Sequence, residues 1–399
     1  MMPHDAPPGV PATHNAGDEH SARLREKVTA EIDAAGGWLS FERFMELALY
    51  APGLGYYSGG SKKLGEGGDF TTAPEVSRLF GACVARQCAE VLQSLGAGSV
   101  MEIGAGSGRL AADLLARLES LGRLPEHYWI LEVSADLRQR QREHLEQRLP
   151  QLLHRVHWLD RPTEESFDGV ILANEVLDAL PVARFRWHSS AIEEMGVEIR
   201  GGARGQEFMW SARPANAAMR EACRELLAAG GPWNDGYVSE YCPRLGAWTC
   251  AVTQPLRRGA VLWFDYGLPR AQYYLPERHE GTLVCHFRHR QSDDPFVNLG
   301  LQDISAWVDF TRVAEASREA GFELAGFTTQ AHFLAALNID QEMRIVAGGD
   351  ENRFARLANQ ARQLMMPGEM GERFKAMAWL RGIEMPLSGF ALLDLRHSL

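Results

Sequence analysis

The stretch Ser99-Val100-Met101-Glu102-Ile103-Gly104-Ala105-Gly106-Ser107-Gly108 decides the fold. Ser99 to Ile103 reads as a short buried strand, the glycines at alternate positions as a tight loop, and Gly108 to Leu121 as a helix. Strand, glycine turn and helix in that order open a βαβ unit, and the pattern recurs downstream. Tyr128 to Val133 reads as a second strand, Ala135 to Arg148 as a helix, His154 to Trp158 and Asp168 to Ala173 as further strands, and Ala260 to Asp265 as a fifth. The expectation is an α/β fold with a doubly wound, mostly parallel sheet, its ligand lying beyond the carboxyl ends of the strands.

The glycine spacing says which ligand. Gly104, Gly106 and Gly108 sit at i, i+2 and i+4, whereas a dinucleotide fingerprint wants its third glycine at i+5, which here is Arg109. That argues against a nicotinamide oxidoreductase, whose pyrophosphate needs the third glycine for close helix packing. S-adenosylmethionine has no phosphate; it needs open backbone beneath its methionine moiety and a carboxylate at the end of the second strand for its ribose hydroxyls. Glu132, in Leu131-Glu132-Val133-Ser134, stands there. Glu102, at the head of the loop, is expected to meet the ligand amino group or to hold the loop through backbone N–H groups. Asp160, just past the third strand, is the candidate acceptor for an adenine amino group.

The fourth strand runs into Asn174-Glu175-Val176-Leu177-Asp178-Ala179-Leu180-Pro181. Enzymes that methylate nucleobase amines carry an Asn or Asp, two prolines and an aromatic at this place; those prolines are missing. Two carboxylates, Glu175 and Asp178, are present instead. Carboxylates hold a guanidinium fork and draw its charge away from the attacking nitrogen, so Asn174, Glu175 and Asp178 are the acceptor-side candidates. Gly67 to Glu75, containing Asp69, Phe70, Thr71 and Thr72, reads as a lid ahead of a helix that begins near Pro74. Asp265-Tyr266-Gly267 ends the fifth strand at the pocket rim, and His289 is a candidate proton relay.

The flanks set the organisation. The chain has 399 residues, so a minimal core of about 150–200 residues leaves a surplus. The division read from composition is a tail over 1–22, an N-terminal helical and lid region over 23–98, core over 99–181, a substrate-side insertion over 182–258, and core with a helical tail over 259–399. Ser40 is the expected N-cap of a helix through Phe41, Phe44, Met45 and Leu49, and the tail helix is expected from Asp350 to Trp379. Net charge is −11, which leaves no basic footprint for nucleic acid or for an anionic membrane. Six cysteines form no C-x-x-C pair, so no metal site is expected, and Cys83 and Cys88 read as core side chains. The first twenty residues hold no Lys or Arg and no apolar run, which reads as a solvated tail of a cytoplasmic protein without a membrane span.

Together, FERFMELALYAPGLGYYS, GEGGDFTTAPEVSRLFG, MEIGAGSGRL, ANEVLDALPV, WFDYG, DISAWVDF and MPGEMGERFKAM, in this order over residues 36–379, resemble the family of the mitochondrial complex I assembly methyltransferase and its bacterial relatives. The resemblance implies a class I methyltransferase, Rossmann-like fold with a seven-stranded sheet and S-adenosylmethionine as donor. In the eukaryotic branch it implies symmetric dimethylation of an arginine on a respiratory complex I subunit, hence a protein substrate. Carried over by position, Glu102, Gly104, Gly106, Gly108 and Glu132 bind the donor, Asp69, Phe70, Thr71 and Thr72 approach it, and Asn174, Glu175 and Asp178 face the acceptor. Two other readings stay open at this stage: a donor-binding assembly factor without turnover, and a small-molecule methyltransferase.

Overall fold

The computed structural model describes residues 14–59, 71–202 and 205–399. Helix α1 (His14–Ala34) leads to α2 (Phe41–Tyr50), where Ser40 Oγ accepts from Arg43 N at 3.3 Å as an N-cap. The helix expected after Pro74 is split. Ala73–Val76 makes a single turn, Ser77 is extended, and α3 (Arg78–Leu95) restarts with Ser77 Oγ accepting from Leu79 N and stops at Gly96 with φ 85°.

The core follows as β1 (Ser99–Ile103), α4 (Arg109–Ser120), β2 (Tyr128–Leu131), α5 (Ala135–Arg148), β3 (Val156–Leu159) and β4 (Phe167–Asn174). A 3-10 turn over Pro150–Arg155 delays the third strand by two residues relative to the sequence expectation. Next come β5 (Ala183–His188), β6 (Ala191–Gly202), β7 (Gly205–Pro214), α6 (Ala217–Gly230), β8 (Val238–Tyr241), α7 (Leu245–Thr253) and β9 (Leu256–Leu268). Finally α8 (Phe310–Glu319), β10 (Glu323–Thr329), α9 (Glu351–Met365) and β11 (Phe374–Arg381) complete the main framework.

The central sheet runs β10-β11-β9-β4-β1-β2-β3, with Val308–Asp309 added beside the end of β9. All neighbours from β9 to β3 are parallel, and β11 alone runs against both of its neighbours. This is the mostly parallel, seven-stranded sheet that the resemblance implies. One core covers each face: Phe80, Cys83, Cys88 and Leu110 pack with Val100, Tyr128 and Leu172 on one side, while Leu245, Val252 and Phe310 pack with Met101, Ile171 and Trp263 on the other. Helices α3 and α7 thus belong to the sheet's layers, although the sequence division assigns them to the N-terminal region and the insertion.

The helical tail expected through Trp379 is corrected. Helix α9 ends at Met365, and Phe374–Arg381 is the strand β11, inserted between β9 and β10. Its two faces explain the misreading: Ala376, Ala378 and Leu380 enter one core and Met377 and Trp379 the other, so the strand is a continuous apolar run without alternation. The remaining insertion strands form a separate antiparallel sheet, in which Leu39–Ser40 pairs with β6. Helices α1 and α2 pack on it through Leu24, Val28, Phe41 and Phe44, against Val197 and Phe208. Among the described residues, no helix is long and apolar enough to cross a membrane.

Candidate active site

Strand register brings four chain segments together. Ile103 lies beside Leu131 and Ala173, and Asn174 beside Phe264, so the residues just past β1, β2, β4 and β9 share one edge of the sheet. A cleft of about 380 Å³ opens there, lined by Glu102, the loop 104–107, Glu132, Asn174, Glu175 and, from the N-terminal side, Tyr50, Tyr57, Thr72 and Glu75.

The glycine loop is left-handed at three points, with φ 66° at Gly104, 53° at Gly106 and 82° at Gly108. A side chain at Gly104 would also press on Val176 at 3.0 Å, and one at Gly108 on the Gln141 backbone at 3.3 Å. Glu132, almost fully buried, accepts from Ser134 N at 2.8 Å and from Gln141 Nε2 at 3.2 Å. Gln141 also donates to Gly106 O at 3.0 Å and accepts from Trp158 Nε1 at 3.0 Å, tying loop, β2 end and β3 together. The Glu102 carboxyl accepts from Tyr128 Oη at 2.6 Å. Burial pushes it up to about 7, against the pull of that hydrogen bond.

Immediately after β4, Glu175 holds φ 55°. Its Oε1 accepts from Ala73 N at 3.3 Å and from Asn174 Nδ2 at 3.1 Å. Burial first and Asp178 second push its carboxyl up to about 8. The loop beyond is pinned by Asp265, whose Oδ2 accepts from Val176, Leu177 and Asp178 N at 2.9 to 3.3 Å and whose Oδ1 accepts from Tyr266 N at 2.9 Å. Burial and its two acidic neighbours nevertheless raise the Asp265 carboxyl well above the carboxylate range. Asp178 is pushed up to about 6 by burial. It is buried and is not among the residues that line the cleft. Three carboxyls this close do not all ionise together. Tyr50 and Tyr57, both lining the cleft, stack at 5.5 Å, their hydroxyls donating to Ala179 O at 2.9 Å and to Asp303 Oδ1 at 3.0 Å.

The other expectations divide as follows. Thr72 lines the cleft and precedes the Ala73–Val76 turn without a side-chain cap, while Thr71 is exposed. Asp69 and Phe70 lie outside the described residues. Asp160 is exposed one residue past β3 and is not among the cleft-lining residues. Asp265 is buried structure rather than rim. His289 sits with Arg288 at positive φ in the hairpin turn between Val284–Phe287 and Arg290–Ser292. Sequence reasoning missed Gln141, Tyr50 and Tyr57. For Gln141 a signal existed: Leu137, Gln141 and Leu145 form the buried i, i+4, i+8 stripe of α5.

Residues 83–328 match the model of a family described as "Putative S-adenosyl-L-methionine-dependent methyltransferase". The chain belongs to this family. It is an S-adenosylmethionine-dependent methyltransferase. A COG1565 superfamily protein from Burkholderia thailandensis, solved bound to S-adenosyl-homocysteine, is 42% identical to it, with a TM-score of 0.91 over 98% of this chain and 100% of that one. The zebrafish (Danio rerio) protein named protein arginine methyltransferase NDUFAF7, mitochondrial, is 28% identical over 91% of each chain. Its human counterpart of the same name is 27% identical over 86% of this chain and 80% of its own. These names overturn the cytoplasmic expectation: the curated relatives of this methyltransferase are mitochondrial, and a lysine- and arginine-free N-terminus does not decide the compartment.

Proposed function

We propose that this methyltransferase modifies an arginine side chain of a protein partner, in keeping with the names of its zebrafish and human relatives, and that the partner is a respiratory complex I subunit, as the resemblance implies. The observation that carries the reading is Glu175: a half-buried carboxyl lining the same cleft as the glycine loop and the stacked Tyr50 and Tyr57.

The cleft's own chemistry fits the methyl donor. Its left-handed glycines leave the loop backbone open, Glu132 offers a carboxylate at the β2 end, and Asn174 Oδ1 is buried with no hydrogen-bond partner among the described residues. When bound, the donor supplies an electrophilic methyl on a cationic sulfur. Glu132 would hold the ribose hydroxyls, with Gln141 setting its orientation, and Glu102 would face the amino acid end. Glu175 would hold the acceptor guanidinium and pull its charge toward the nitrogens it touches, which leaves the attacking nitrogen richer in electrons. Asp178 acts through Glu175 by raising its proton affinity, and the tyrosine pair flanks the alkyl stem. Rate enhancement comes mainly from orientation of the two reactants.

The test compares the proteome of cells with and without the protein by mass spectrometry, and then methyl transfer to the peptide identified. A missing arginine methyl mark, restored by wild type and not by Glu175→Gln, is the expected result. A lost mark on a small molecule or on another side chain would overturn the acceptor assignment.

A further inference from the structure

On the far side of the Ala73–Val76 turn lies a second groove, of about 670 Å³, whose walls, among the described residues, carry Arg78, Arg109, Arg148, Arg353 and Arg356 and two carboxylates, Glu75 and Asp113. Asp113, buried, is shared by Arg148 at 3.0 Å and Arg78 at 3.8 Å. Glu75 pairs with Arg109 at 3.2 Å. Arg353 and Arg356 stand one turn apart near the start of α9, and among the described residues neither is in an ion pair; Asp350, the N-cap, is their Coulombic neighbour. On a chain of net charge −11, this groove is a local excess of positive charge, five arginines against two carboxylates among its described lining residues.

The groove is also joined to the methyl-transfer cleft. Pro74 and Glu75 line both. Glu75 Oε1 accepts from Ser107 Oγ in the glycine loop, while its Oε2 faces Arg109. A chain seated in the groove therefore lies one helical turn from the cleft and against the carboxylate that braces the donor loop.

We infer that this arginine groove docks a carboxylate-rich segment of the methyl-acceptor protein, so that recognition and methyl transfer occur on opposite sides of one short turn. The inference rests on the protein-acceptor reading above. Guanidinium forks match carboxylates in bidentate geometry, which suits a peptide with spaced Asp or Glu. Nucleic acid fits less well: among the described residues no aromatic ring lines the groove to stack a base, and the acidic chain as a whole repels a long polyanion.

Fluorescence anisotropy with a labelled (Glu-Gly)5 peptide tests the groove without any transfer reaction. Binding should exceed that of (Gln-Gly)5, weaken with added salt, and fall by about tenfold or more in Arg353→Glu/Arg356→Glu, with S-adenosylhomocysteine affinity unchanged. Arg353→Gln/Arg356→Gln, milder at the surface, should show the same direction with a smaller loss. In turnover, an acidic tract appended to an arginine peptide should lower KM in wild type and not in the double variants, with kcat alike. Equal binding of the two peptides, or tighter binding of inorganic phosphate or single-stranded DNA than of (Glu-Gly)5, would overturn the inference. Binding of (Glu-Gly)5 with no arginine methylation would instead leave the groove standing and remove the acceptor reading.

Discussion

Glu175 carries the sharpest expectation at the scale of single residues. With its carboxyl raised to about 8, the free enzyme below that pH presents a neutral acid to a cationic acceptor. For an arginine peptide, kcat/KM should rise by about tenfold per pH unit toward pH 8 and then level, while Glu175→Gln should be slow and flat over the same range. A wild-type profile flat from pH 6 to 8 would separate Glu175 from acceptor binding. Glu132→Gln removes a charged acceptor from the donor site and should weaken S-adenosylhomocysteine by about thirtyfold in a calorimetric titration, corresponding to ~2 kcal/mol. Gln141→Leu tests positioning. It removes the hydrogen bonds Gln141 makes with Glu132 Oε2, Gly106 O and Trp158 Nε1, so donor KM should rise several-fold while kcat at saturating donor changes little. An equal loss in both would mean Gln141 acts on the chemistry itself.

At the scale of elements, the glycine loop and β11 make contrasting demands. Gly104→Val puts a branched side chain at φ 66° and against Val176, where left-handed backbone alone costs about 1–2 kcal/mol. The loop should deform, and S-adenosylhomocysteine binding should be lost before the global fold is. Strand β11 is structural: Trp379 is fully buried, packed edge-on to Trp263 at 5.4 Å. Trp379→Ala should lower unfolding stability by about 3–5 kcal/mol in urea titration, and a loss below about 1 kcal/mol would contradict the placement of β11 inside the sheet. The two elements also differ in legibility. The loop announces itself through residue types that only a special backbone needs, whereas β11 offers an apolar run whose period is hidden because both faces are buried.

For the whole molecule, buried carboxyls link stability to pH. Glu102 and Glu175 sit at about 7 and about 8 in the fold, against 4.5 for an ordinary glutamate. Between those values the native state binds more protons than the unfolded chain, so stability falls as pH rises from about 4.5 to about 8. Above that range Lys375, lowered to about 8 by burial, contributes the opposite slope, because the unfolded chain then holds the extra proton. Thermal melts should therefore be lowest near pH 8, and Glu102→Gln/Glu175→Gln should flatten the acidic limb. Stability that climbed steadily from pH 5 to 8 would mean these carboxyls are ionised in the native state.

The sequence alone determined the strand ends of β1, the span of α5, the N-cap at Ser40 and the glycine turn that follows β1, because each is decided by neighbours a few residues away: a cap, a glycine, a period. The choice of Glu175 over Asp178 at the cleft wall depended on tertiary structure, as did the burial of Asp265 and the exposure of Asp160. So did the positions of Tyr50 and Tyr57 and the strand identity of β11. Glu175 meets Ala73 across 102 residues and Tyr57 meets Asp303 across 246. Contacts of that range leave no periodicity in the chain; they exist only once sheet register and the packing of α1 and α2 on the insertion have set which loop faces which.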